Sequence, residues 1–338
     1  MVCQKRYRTL RAWVAGAFLA SMCAMPSAFA QQVPLTAAAN ANPVWVTLGT
    51  VGGPMAQKDR GEPANLLLVK GVAYLVDAGD GAASRLLNAG VNMASLRGIF
   101  ISHLHFDHIG GLFGVLGLRL QMRMTTPLTI YGPPGTKVIV AGLVKAMGPS
   151  AESGFGVPGE IPIAPDLNLS VVELVDGATI NVTDIMVRAV ANTHYSFPAG
   201  SEASKRFQSL SFRFDLPGHS LVYTGDTGPS SAVERLATGA DTLVTEMIDL
   251  ESTMARMQKR AREISAVEAK QMEEHLQTHH LKTSDIAAMA TRAGVKRVIV
   301  THIGGAGAAA GGTIYAEQIK RGFSGDVKIA SDGDHFDF

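Results

Sequence analysis

Ser102-His103-Leu104-His105-Phe106-Asp107-His108-Ile109-Gly110-Gly111 follows the apolar run Gly98-Ile99-Phe100-Ile101 without interruption. The run reads as a buried strand, since Ile and Phe fit a pleated surface and no polar group interrupts them. Alternation at its end puts His103 and His105 on one side. The chain then turns, so that Asp107 and His108 face the same space from the start of a helix. Four clustered ligand-type side chains are more than one ion with an open position uses, and they point to a pair of ions. Imidazole and carboxylate suit Zn²⁺, with Mn²⁺ and Fe²⁺ as alternatives.

A two-ion site needs more ligands, and distant strand ends offer them. His194 follows the run Ile185–Val190, Asp226 closes Leu221-Val222-Tyr223-Thr224-Gly225-Asp226, and His302 ends Arg297-Val298-Ile299-Val300-Thr301-His302. Gly225 lets the chain turn there. Any one of these taken alone reads more readily as a satisfied polar residue at a strand end. Beside the H-x-H-x-D-H cluster they read as its partners, because scaffolds place functional groups where strands give way to loops.

Around these motifs, short β-rich runs alternate with helical ones from Val44 onward, the pattern of an α/β chain. Strands are expected at Val44–Leu48, Asn65–Val69, Ala73–Val76, Gly98–Ser102, Leu128–Tyr131, Leu169–Leu174, Ile185–Val190, Ser209–Phe214, Ser220–Tyr223, Thr242–Thr245, Lys296–Thr301 and Val327–Ala330. So many strands suggest two sheets packed face to face rather than one open sheet. Helices are expected at Ala82–Ala89, Ile109–Met122, Gly135–Met147, Ser230–Ala237, Thr253–Thr278, Ser284–Ala293 and Ile314–Arg321. The longest, Thr253–Thr278, alternates Arg, Lys and Glu and reads as a solvated helix face. Gly148–Pro165 and Gly304–Gly312 read as loops.

The N-terminus distorts the composition of the 338-residue chain. Lys5, Arg6, Arg8 and Arg11 precede an apolar run from Trp13 to Ala20, and Ala28-Phe29-Ala30 supplies small residues for cleavage. This predicts a secretory signal peptide over 1–30, followed by a single domain over 31–338, and a periplasmic or secreted location. The apolar run is too short to span a membrane. A lipid anchor on Cys23 is the competing reading. Removing 1–30 takes away both cysteines and leaves 26 basic and 29 acidic groups, a net charge of −3. The mature chain thus lacks the positive charge that draws proteins onto nucleic acid, has no thiol ligand, and carries nothing against a homo-oligomer.

With these residues in place, the sequence resembles the metallo-β-lactamase superfamily, and within it the ribonuclease Z and zinc-type arylsulfatase branch. The likeness runs from Thr47-Leu48-Gly49-Thr50 through Val76-Asp77-Ala78-Gly79 to Asp332-Gly333-Asp334. The branch is marked by His280-Leu281-Lys282-Thr283-Ser284, then Gly294-Val295-Lys296, then the strand ending in His302. The resemblance implies an αββα four-layer sandwich of two mixed sheets flanked by helices. It implies two Zn²⁺ per chain, one held by His103, His105 and His194, the other by Asp107, His108 and His302, with Asp226 bridging. His280 would assist catalysis without being a ligand, and Glu246 would orient it. Only residues 195–225 separate His194 from Asp226, which leaves little room for a tRNA-gripping arm. The absence of a mature cysteine excludes zinc β-lactamases that need a thiolate.

The expected activity is that of a secreted hydrolase in which a metal-bridging hydroxide, oriented by Asp107, attacks a small anionic ester, an aryl sulfate or a phosphodiester. Alternatives are hydrolysis of a lactone, thioester or β-lactam at the same site, a ribonuclease Z-like phosphodiesterase acting on RNA, and last a non-catalytic metal-binding protein. Phe155, Tyr195, Phe197, Lys205 and Arg206 are candidates for the substrate wall, although ordinary loop anchoring accounts for each. His219 reads as a turn residue and His335 as part of a polar tail. His275 and His279 sit on or beside the long helix, and His279 is the rival to His280.

Overall fold

The apolar strand runs expected from the sequence are buried on both faces, and this decides the layering. In the computed structural model, Leu66, Leu68, Leu75, Ile99 and Ile130 pack outward under helices, while the alternate residues Leu67, Val69, Tyr74, Val76 and Phe100 pack into a second, inner core. The same alternation recurs in the other half, where Val222, Val298 and Val300 face helices and Leu221, Tyr223 and Ile299 face inward. A strand with two buried faces has no polar positions to spare, which is why these segments read as continuous apolar runs.

The structure describes residues 42–53, 57–260, 265–305 and 312–338. The expected signal peptide and Cys23 lie outside them, as does most of the Gly304–Gly312 loop. One seven-stranded sheet runs β14-β1-β2-β3-β4-β5-β6 and the other β13-β12-β11-β10-β9-β8-β7. The first comprises β1 (Val44–Gly49), β2 (Ala64–Val69), β3 (Val72–Ala78), β4 (Leu96–Phe100), β5 (Leu128–Gly132), β6 (Leu169–Glu173) and β14 (His335–Asp337). The second comprises β7 (Thr179–Val182), β8 (Ile185–Ala191), β9 (Leu210–Leu216), β10 (His219–Tyr223), β11 (Thr242–Ile248), β12 (Arg297–Gly304) and β13 (Asp326–Ile329). Both sheets are mixed: β3 through β6 and β10 through β13 are parallel, and the remainder antiparallel.

The helices are α1 (Ala82–Asn88), α2 (Phe106–Ile109), α3 (Leu112–Gln121), α4 (Thr136–Ala146), α5 (Gly148–Ser153), α6 (Glu202–Arg206), α7 (Ser231–Ala237), α8 (Leu250–Arg260), α9 (Ala266–Thr278), α10 (Thr283–Ala293) and α11 (Thr313–Lys320). Helices α1, α3 and α4 cover the first sheet and α7, α10 and α11 the second, which completes the four-layer αββα sandwich. The inner core closes on aromatic contacts, with Phe100 meeting Phe212 and Phe214 edge-on at 5.8 and 5.2 Å.

Several local expectations need correction. The helix expected over Thr253–Thr278 is two helices, and the second starts at a capping box in which Ser265 and Glu268 bond each other's backbone N–H. Gly110-Gly111 divides the expected Ile109–Met122 helix into α2 and α3. Part of the Gly148–Pro165 loop is α5. Strands β7 and β14 are short and polar enough to lack an apolar signature. His335 accordingly belongs not to a tail but to β14, which pairs with β1 through Trp45↔Phe336. Asp332, just before it, accepts from Thr50 Oγ1 at 2.6 Å, from Gly61 N at 2.7 Å and from Arg85, which pins the C-terminal segment beside the first sheet.

Candidate metal centre

The parallel strands aim their C-terminal ends at one cleft, and local irregularities turn specific residues into it. Where β3 leaves its pairing with β2, Asp77 is an extra residue with φ +58°. Between β11 and β12 the register slips by one residue opposite Glu246, and His302 takes φ +43° in the slipped stretch. A bulge re-aims a side chain that a regular strand would send into a neighbouring layer, and left-handed backbone at a non-glycine residue is strain held by its surroundings. Gly225 has φ +56°, and a Cβ there would stand 2.8 Å from Ser102 Cβ, so the turn that presents Asp226 requires glycine.

The H-x-H-x-D-H segment meets the distant residues in two groups. Ligand atoms of His103, His105 and His194 lie within 4.8 Å of one another, and so do those of Asp107, His108, Asp226 and His302. Asp226 joins the groups. Its Oδ2 is 3.9 Å from His103 Nε2, 4.0 Å from His194 Nε2 and 3.1 Å from His302 Nε2, while Oδ1 is 3.3 Å from His108 Nε2. Asp107 Oδ2 stands 3.5 Å from both His108 Nε2 and His302 Nε2, and also accepts the Gly53 N–H at 3.1 Å. A Cβ on Gly53 would collide with that carboxylate at 2.3 Å, so only glycine allows this backbone approach.

Outer partners fix the rings from behind. Asp77 Oδ2 bonds His108 Nδ1 at 2.8 Å, Ser102 Oγ at 2.8 Å and Tyr223 OH at 2.7 Å, and Oδ1 accepts the Ser102 N–H at 2.7 Å. His194 Nδ1 meets the His279 carbonyl at 3.2 Å. The inward atoms, by contrast, have no hydrogen-bond partner: His103 Nε2, His108 Nε2, Asp226 Oδ1 and His302 Nε2 are buried and unpaired. Buried polar atoms are otherwise almost always satisfied.

Charges in this space are strongly coupled. Burial pushes the Asp226 carboxyl upward, but His302 and His108 outweigh it and hold the group well below the usual carboxylate range. His302 works against burial in the same way, raised to about 10 by Asp226 and Asp107. His103 and His194 lie well below the ordinary histidine value, first because of burial, and stay neutral. The carboxylates thus draw positive charge to themselves while the opposite group offers neutral imidazole lone pairs.

The cleft above has a volume of about 770 Å³. His280 is buried on its wall, with Nδ1 at 2.8 and 3.0 Å from the two Glu246 oxygens, and its ring is 5.0 Å from that of His194 and 6.2 Å from that of His302. Glu246 also accepts the Thr227 N–H at 2.8 Å. His279, the rival, turns away and bonds His275 Nδ1 to Nδ1 at 2.7 Å.

Residues 73–303 match the family described as the Beta-lactamase superfamily domain. The chain belongs to the metallo-β-lactamase superfamily. It is 29% identical over 290 residues to ribonuclease Z of Mycobacterium avium (strain 104), covering 85% of this chain and 95% of that one. The fold is shared with the metallo-β-lactamase fold protein YhfI from Bacillus subtilis, at 18% identity and TM-score 0.63, over 88% of this chain and all of that one. It is also shared with the short form of human tRNase Z, at 21% identity and TM-score 0.59, over 87% and 98%. The likeness places the chain on the ribonuclease Z side of the superfamily and supports a hydrolase.

A metallo-β-lactamase fold implies a dinuclear metal centre, and the donor set fits one. Two groups of nitrogen and oxygen donors share a carboxylate, four of their inward atoms are buried without a hydrogen bond, and the outer nitrogens of His108 and His194 are held by Asp77 and the His279 carbonyl. Among the expected wall residues only Tyr195 lines the cleft, its ring 5.3 Å from that of His105. Phe155 lies instead under Arg123 in a separate groove, Phe197 packs at a tilt against Tyr195 and Phe207 outside the cleft, Lys205 pairs with Glu202, and Arg206 lies over Phe207. Each is an anchoring contact.

The wall that sequence reasoning missed is α9. Glu268, Gln271, Met272, His275 and Leu276 line the cleft, so the helix face expected to be merely solvated borders the site. Their spacing at i, i+3, i+4, i+7 and i+8 was the available signal. His275 also stands near the ions' expected place: ligand atoms of His194, His275 and His280 lie within 4.8 Å of one another. No helix among the described residues is long and apolar enough to cross a membrane.

Proposed function

We propose that this protein is a metal-dependent phosphodiesterase, with His103, His105 and His194 holding one ion, Asp107, His108 and His302 the other, and Asp226 reaching both. The imidazole and carboxylate donors suit zinc. Two divalent ions in such a site stabilise the attacking and leaving oxygens of an in-line displacement and lower the pKa of water. The chain's own contribution is orientation and proton movement. Asp107, held by the Gly53 N–H, is placed to accept a hydrogen bond from the attacking water. Glu246 takes the His280 Nδ1–H and favours the protonated ring against its burial, which leaves Nε2–H as a donor facing the cleft. A donor there serves a non-bridging phosphoryl oxygen or the leaving alcohol.

The observation that carries this reading is the buried Glu246–His280 pair standing beside two donor groups joined by Asp226. The ribonuclease Z relatives weigh toward phosphorus over sulfur, and nothing compared favours the sulfate ester expected from the sequence. They also restore an RNA phosphodiester to the candidates despite the low positive charge. The stretch between His194 and Asp226 consists of α6, β9, β10 and their connections, which favours small or short substrates over one gripped by an arm. The test is a panel on the zinc-loaded protein: bis(p-nitrophenyl) phosphate, a short RNA, p-nitrophenyl sulfate, an aryl lactone and a β-lactam. Phosphodiesters are expected to turn over at least about 10²-fold faster than the sulfate, the contribution of one well-placed donor. Faster sulfate or lactone turnover overturns the proposal.

A further inference from the structure

Phe106 is 75% exposed, although it sits between His105 and Asp107 on the lip of the cleft. An exposed ring that lines a ligand-sized cleft is apolar surface available to a bound molecule. The same cleft is lined by Met272 and the buried Leu276 of α9, and Tyr195 adds a second ring beside His105. Beside the donor groups the cleft lining thus includes two aromatic rings, a thioether and a leucine.

The charges around the cleft point the same way. Among the described residues lining the cleft there is no Lys or Arg, whereas Glu62 and Glu268 line it outside the donor groups. The Glu268 carboxylate is held ionised by hydrogen bonds from the Ser265 N–H and hydroxyl, each 2.8 Å long. A polynucleotide brings a negative charge at each flanking phosphate, and proteins that hold one supply Lys or Arg along its track. Here a second anionic group would face carboxylates.

We infer that the cleft contains a binding subsite, formed by Phe106, Tyr195, Met272 and Leu276, for a neutral aromatic arm of a small monoanionic diester, and that it disfavours a polynucleotide strand. This rests on the phosphodiesterase reading for the identity of the reacting group.

Binding without turnover tests it. Methyl(phenyl)phosphinate, dimethylphosphinate and methyl(4-carboxyphenyl)phosphinate carry P–C bonds that cannot hydrolyse, and their affinities for the zinc-loaded protein are read by calorimetry. The phenyl arm is expected to bind about tenfold tighter than methyl, and the added carboxylate to weaken it about tenfold. Phe106→Ala and, separately, Met272→Ala should each cut the phenyl-over-methyl preference below about threefold. Equal affinity for phenyl and methyl, or a carboxyphenyl ligand as tight as phenyl, overturns the subsite. Turnover of p-nitrophenyl phenyl phosphate is measured in parallel. No turnover with the phenyl preference intact refutes the phosphodiesterase reading alone, and turnover with no preference refutes the subsite alone.

Discussion

The two ends of strands β10, β11 and β12 carry similar residue types and treat them in opposite ways. At the N-terminal ends, Asp241 accepts from the Ser220 N–H and hydroxyl at 2.9 Å each and from Lys296 at 2.7 Å. Nearby, His219 Nε2 meets Thr242 Oγ1 at 3.0 Å, and Arg297 pairs with Asp326 at 3.3 Å. Every one of these groups has a protein partner. At the C-terminal ends the same strands lead to Asp226, Glu246 and His302. There Asp226 Oδ1 and His302 Nε2 are buried close to other donor groups but without a hydrogen bond. A structural cluster closes its hydrogen bonds on itself, whereas a functional one holds buried polar atoms together without closing them. The inventory of acids and histidines does not separate the two ends; the direction of the hydrogen bonds does.

The contrast breaks most visibly at Asp226. Asp226→Asn keeps the shape but removes the charge that both donor groups share. Metal content should fall from about two ions per chain to one or fewer, and diesterase activity by at least about 10³-fold. Elemental analysis beside a rate measurement checks this, and two tightly held ions in the variant would show that Asp226 is not the shared ligand.

His280→Ala separates catalysis from coordination at the same end. Activity should fall about 10²-fold with metal content unchanged. Loss of an ion instead would make His280 a ligand. Glu246→Gln should reproduce part of the defect, since the amide can still accept from His280 but no longer favours its protonated form.

Asp77 sharpens the comparison because it lies on the first sheet and touches no ion's expected place. Asp77→Asn tolerates the left-handed backbone but weakens the hold on His108, Ser102 and Tyr223. Metal affinity should fall about 10–100-fold, the scale for a group that orients a ligand. Competition with a chelator measures it, and an unchanged affinity would make Asp77 a packing residue only.

The legibility of the chain follows the same division. The donor groups stand at strand ends, where a long apolar run stops at a histidine or aspartate, so the candidacy of His103, His105, Asp107, His108, His194, Asp226 and His302 was readable from local pattern. The two sheets were readable because their strands are buried on both faces. What escaped depends on contacts made across the fold. Phe106 and the α9 face carry residue types that fit an ordinary amphipathic or exposed segment, and only packing reveals that they border a cleft. The helix start at Ser265 was written in its capping box and was hidden by charge alternation on either side. Strand β14 is three residues long, and its pairing with β1 has no signature within the segment itself.

The smallest effect belongs to the closed end of the strands. Partial burial raises the Asp241 carboxyl, but Lys296 and the Ser220 donors lower it more, to about 2 in the folded chain. In the unfolded chain its value is the ordinary one near 3.9. A group depressed on folding stabilises the fold at pH above its unfolded value, and that contribution fades as pH falls toward 2. Asp241→Asn should therefore lower the urea midpoint at pH 7 and leave it nearly unchanged near pH 2. Because its partner Lys296 is largely exposed and the pair is screened, the difference should stay below about 1 kcal/mol. Metal content and diesterase activity should not change, since the site lies at the other end of these strands. If metal were lost with Asp241→Asn, the two ends would be coupled through the sheet, and satisfied and unsatisfied clusters could no longer be treated as independent.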